Sequence, residues 1–141
     1  MTRRSTWETD LSAYIASVRS RAFEYGEHDC GLFAAGAVLA MTGDDPGAPF
    51  RGHYSNEIGC AKALKRFGAG DLKSTLDGMF DDRPIGRLQR GDLVWNGEAV
   101  GVCMGDYALF VGRAETVEGQ EVAEGLIRIP RAEWAGGWRV E

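Results

Sequence analysis

The chain has 141 residues, 44% hydrophobic and 26% charged, which fits one domain over 1–141 with a single core. Its 21 Asp and Glu against 16 Lys and Arg give a net charge of −5, and without a basic stripe nucleic acid is not an expected partner. No apolar run is long enough to span a bilayer.

The opening "MTRRSTWETDLS" has the positive start of a signal peptide but no apolar segment behind it, so the expected residence is the cytoplasm. The cysteines, Cys30, Cys60 and Cys103, are widely spaced and form no CxxC. Free thiols are expected, with no zinc ribbon, redox pair or cofactor.

The first predicted element is "STWETDLSAYIASVRSR". Trp7, Leu11, Tyr14, Ile15 and Val18 share one face at helical spacing. Ser5 and Glu8 form a capping-box pattern at its start. A turn, "AFEYGEHD", precedes a second helix. Asp29 is a good N-cap and puts Cys30 in the first turn. Leu32, Phe33, Ala35, Val38, Leu39 and Met41 occupy nearly every face, so this helix should be buried, and Leu39→Asp should unfold the domain. Gly43 after Thr42 is a left-handed cap.

Residues 43–55 form a Pro, Gly and Asp-rich loop. A third helix is predicted over 55–67, with Ile58, Ala61, Leu64 and Phe67 on its stripe. A short fourth carries Leu72, Leu76 and Met79. The texture then changes to short apolar runs, "GDLVWN", "AVGVCMG", "YALFVG", "EGLIRIP" and "GWRV". These read as antiparallel strands with tight turns. Helices first and strands second make an α+β domain.

Cys30 carries the candidate chemistry. A thiol at a helix N-terminus meets the positive end of the helix dipole, which favours thiolate, and neighbouring N–H groups can line an oxyanion hole. The alternative is a small buried cysteine, which the local sequence alone favours.

Element order weighs on the other side. Asp29-Cys30-Gly31-Leu32 at the head of an apolar helix, Tyr25 upstream, and Gly91-Asp92-Leu93-Val94-Trp95 opening the strands resemble the NlpC/P60 branch of the papain-like cysteine peptidases. The resemblance implies a papain-like α+β fold, with helices packed on a C-terminal antiparallel sheet or half-barrel. It implies Cys30 as nucleophile and Tyr25 as oxyanion-site residue. The family's catalytic His falls on Ala99, its Ser on Gly31, and its third polar residue has no counterpart in "YALFVG". A methyl group moves no proton.

His28 and His53 are the remaining imidazoles. His28 is more readily a turn residue, and His53 lies in the 43–55 loop, so both are weak candidates for a substitute base. Asp29 reads as a cap before it reads as a catalytic acid. Asp44-Asp45-Pro46 and Asp81-Asp82 read as turns and not as a calcium loop. Cys60 and Cys103 read as core, and Trp134 and Trp138 as packing at the sheet's end.

The full pattern, "FEYGEHDCGLFAAGAVLAMTGDDP…FRGHY", "GDLV", "GVCMG…FVG" and "WRV", also resembles a small phage and prophage family found near tail genes. That implies a tail-associated or tail-assembly protein with a degenerate catalytic site. Expected partners are tail proteins, with peptidoglycan or a peptide as ligand. The expected location is the bacterial cytoplasm during assembly and then the virion tail. The alternatives are an active peptidoglycan endopeptidase or amidase using Cys30, and a peptide- or glycan-binding module.

Overall fold

The computed structural model describes residues 1–112, 116–117, 120–121 and 125–141. Helices lead: α1 (Trp7–Val18), α2 (Cys30–Thr42), α3 (Glu57–Phe67) and α4 (Leu72–Met79). Strands follow: β1 (Leu93–Trp95), β2 (Val100–Cys103), β3 (Tyr107–Gly112), β4 (Thr116–Val117), β5 (Gln120–Glu121), β6 (Gly125–Pro130) and β7 (Gly136–Trp138). Five of them form one sheet in the order β6-β3-β2-β1-β7, every neighbouring pair antiparallel, while β4 and β5 pair separately. The domain is α+β, with helices packed on an antiparallel sheet. Among the described residues no helix is long and apolar enough to cross a membrane.

α1 buries Leu11, Ile15 and Val18, an i, i+4, i+7 stripe. Its expected capping box does not form. The N-cap is Thr6, whose side chain makes no cap bond and instead donates to Asp10 Oδ2 at 2.7 Å. α2 is capped as its sequence predicts. Asp29 Oδ1 accepts from the Leu32 N–H at 2.9 Å, and Gly43 closes the helix at φ 84°.

α2 is buried on most of its surface, because α1 covers one side and β2 and β3 another. Leu39 is the exception at 39% exposed, so its expected place in the core is corrected. Gly36 permits the close approach of α1. The Tyr14 hydroxyl lies against it, donates to the Phe33 carbonyl at 2.9 Å, and would sit 2.2 Å from any added Cβ.

The stripe on α3 is also corrected. Ile58 is 71% exposed and Ala61 is exposed, while Cys60, Ala63, Leu64 and Phe67 turn inward. Ala63 is small enough to bring the helix against Leu32 and Phe50, and this contact sets its rotation.

The sheet is covered on both faces. Along β3, Leu109 and Val111 enter the main core with α1 and α2, whereas Ala108 and Phe110 enter a second cluster with Leu88, Val94 and Trp134. Trp138 lies in the first cluster and Trp134 in the second, so the two tryptophans pack opposite faces.

The fully buried Asp92 ties the ends together. It accepts from Arg3 at 2.9 Å, Arg83 at 2.8 Å, and the backbone N–H groups of Gln89 and Val140.

Candidate functional site

A cavity of about 350 Å³ opens beside the N-terminus of α2. Cys30 and Asp29 come from the head of that helix, Tyr25 from the turn before it, and Pro46, Phe50 and Tyr54 from the 43–55 loop. Cys60 on α3, α4, and the residues just before β2 complete the wall.

The approach of β2 has a local cause. Asn96-Gly97 makes the tight turn after β1, with Gly97 at φ 106°. The Asn96 side chain accepts from the Glu98 and Ala99 N–H groups at 2.9 and 2.8 Å. This holds Glu98 and Ala99 at the mouth of the cavity, and backbone hydrogen bonding from Val100 reaches the Cys30 sulfur.

The thiol does not behave as a helix N-terminus alone predicts. Burial pushes the Cys30 pKa up to about 11. Hydrogen bonding from the Val100 and Gly31 backbone pulls down but does not win, and the Asp29 carboxylate adds to the upward push. Of the two readings of Cys30, this favours the buried thiol over the helix-stabilised thiolate. The cap that starts the helix is an anion placed beside the sulfur, and it opposes the helix dipole.

Asp29 acts as a hub more than as a cap. It is 4% exposed and accepts from the Gly26 and Leu32 N–H groups and from the Tyr54 hydroxyl. Tyr54 is also a hydrogen-bond partner of the Cys60 thiol. Its own pKa is pushed up, first by burial and then by Asp29. Cys60 is half-buried and its thiol is pushed up by burial, so it belongs to the cavity wall and not to the core. Cys103 is fully buried.

The sequence reading missed Tyr54 and Glu98. A tyrosine in a loop and a glutamate in a turn carry no local signal that they face a thiol far away in sequence.

Neither histidine lines this cavity. His53 is exposed, and its ring meets that of Phe67 at a tilt of 55° with centroids 4.8 Å apart. The 43–55 loop does wall the cleft, but through Phe50 and Tyr54. His28 is 2% exposed and lies edge-on to Phe33, lining a separate groove between α1 and α2. Burial and the nearby Arg21 push its pKa down, and its Nε2 has no hydrogen-bond partner among the described residues.

Tyr25 stands on the wall with Cys30, and its ring meets Phe23 edge-on at 4.8 Å. Ala99 faces the same space. Among the described residues, no cluster of three His, Cys, Asp or Glu side chains is arranged to hold a metal ion.

Residues 2–140 match the model of a family described as a domain of unknown function, DUF6950, and the chain belongs to that family. No curated protein and no solved structure matches the chain.

Proposed function

We propose that this DUF6950 chain is a papain-like, NlpC/P60-related domain that keeps a ligand cleft and has lost hydrolysis, and that it serves a phage or prophage tail as a tail-associated or assembly protein. The tail role rests on the sequence resemblance. The loss of hydrolysis rests on one observation: the cavity that holds Cys30 is lined by Ala99 and by neither histidine. Amide cleavage needs a base to take the thiol proton and an acid to protonate the leaving amine. Such groups contribute about 10²–10⁴-fold each. A thiol whose pKa is raised to about 11 supplies almost no thiolate at neutral pH.

The test assays wild type, Cys30→Ala, His28→Ala and His53→Ala on muropeptides and a simple amide. The expected result is no turnover in any of them. Turnover by wild type that vanishes in Cys30→Ala and in one histidine variant would overturn the reading and identify the base. Ala99→His probes the relationship itself. An imidazole returned to that position should speed Cys30 alkylation at pH 7, and an unchanged rate would count against the papain-like placement.

A further inference from the structure

We propose that the groove between α1 and α2 is a second binding site, which takes the C-terminal residue of a partner chain, its α-carboxylate between Arg21 and Arg51 and its apolar side chain along Leu39 and Val18. The proposal does not depend on the reading of the Cys30 cleft.

The groove holds about 310 Å³, and its charged lining residues are Arg21, Arg51 and Glu27. Arg51 is bonded to Asp45 through Nε and Nη2, and Asp45 stands outside the lining. The Arg21 guanidinium is 3.9 Å from the Glu27 carboxylate, and both side chains are exposed. A pair of that length and exposure holds its members weakly.

The Tyr14 hydroxyl on the groove wall reads the sign of the space. Burial pushes its pKa up to about 12, while Arg51 and then Arg21 pull it down, each by more than Asp45 pushes it up. The two guanidinium groups therefore dominate the charge felt there, even with their own carboxylates in place. His28 also lines the groove and is 2% exposed, and its Nε2 has no hydrogen-bond partner among the described residues. A buried polar atom left in that state is uncommon in folded proteins. At the other end Leu39 is 39% exposed, an apolar side chain beside a cationic pair.

A cationic pair next to apolar surface matches a ligand that carries an anion and an apolar group close together. A C-terminal residue does so, because its carboxylate and its side chain leave the same Cα. An internal Asp or Glu has its carboxylate at the tip of a side chain with no apolar branch. The volume is at the small end of ligand sites, room for one or two residues.

The experiment is an NMR titration of the full chain with three acetylated dipeptides: Ala-Leu with a free carboxylate, Ala-Leu amide and Ala-Glu amide. The expected result is shifts at the amides of Arg21, Gly36, Leu39 and Ala40, with the free acid bound about fivefold or more tighter than either amide, a ratio in the range of exposed ion pairs. Added salt should shrink that ratio. Arg21→Gln should shrink it without changing the melting temperature, and Leu39→Ala should weaken the acid and Ala-Leu amide alike. Equal binding of the acid and Ala-Leu amide, or an Arg21→Gln variant that keeps the full ratio, would overturn the proposal. Ala-Glu amide bound as tightly as the free acid would make the occupant an acidic side chain and overturn it too. Shifts confined to Cys30, Gly31, Ala99 and Val100 would put the peptide in the other cavity, and no shifts would leave the groove without this ligand; either result overturns the assignment.

Discussion

Cys30 shows how two local effects on one sulfur are ranked. The helix terminus and the Gly31 and Val100 backbone stabilise a thiolate, while burial and the neighbouring Asp29 destabilise it, and burial is the larger. The chemistry expected at neutral pH is therefore that of an unreactive thiol. Iodoacetamide should modify Cys30 more slowly than free cysteine at pH 8, with a rate that climbs toward about pH 11. A profile that levels off near pH 7 would show a thiolate and contradict the ranking. The same shift has a stability consequence. The folded pKa lies above the ordinary value of 9.0, so the contribution is present in full below pH 9 and is lost as pH rises through about 11. Unfolding free energy should fall across that interval in wild type more steeply than in Cys30→Ala.

At the scale of elements, α2 is the member on which the site depends. It carries Asp29 and Cys30 at one end and is wedged between α1 and the sheet along its length. Val38 and Leu39 are neighbours in sequence with opposite fates, 0% and 39% exposed. Val38→Asp buries an unpaired charge and should unfold the domain or cost several kcal/mol. Leu39→Asp should leave the melting temperature within a few degrees of wild type, because its side chain reaches water. Thermal melts of both variants check the rotation of the helix, and a reversal of the two outcomes would mean that α2 is turned the other way. A Cβ added at Gly31 would meet only ordinary contacts, at 3.6 Å from Asp29 and Leu72. Glycine there is therefore not demanded by packing.

For the molecule as a whole, Asp92 closes the chain. Arg3 reaches it from the N-terminus and also donates to the Val140 and Arg90 carbonyls at 2.7 and 2.8 Å, so both ends of the chain meet at the start of β1. Arg83 supplies the second ion pair from the turn before the sheet. Asp92→Asn removes the charge and leaves two guanidinium groups without their partner. The expected loss is about 3–5 kcal/mol of stability, read by denaturant unfolding. A loss below about 1 kcal/mol, the size of an exposed pair, would show that water or other groups take over.

The sequence alone determined the features that depend on neighbours along the chain. Hydrophobic period placed four helices before the strands, and the strand segments match β1, β2, β3, β6 and β7 within a few residues. Asp29 and Gly43 marked the ends of α2 because caps act over three or four residues. The pair β4 and β5 was not predicted, since two-residue strands carry no period. The α3 stripe was misjudged because Ile58 and Ala61 fit a helical period as well as Cys60 and Ala63 do, and only the contact with Leu32 and Phe50 chooses between them. The site divides in the same way. That Cys30 heads a helix could be read from the sequence. That its pKa rises, that Tyr54 holds Asp29, that Glu98 and Ala99 share its cavity and that both histidines lie outside it were decided by tertiary structure. Desolvation and through-space charge depend on what the fold brings within a few ångströms, and no spacing along the chain records that distance.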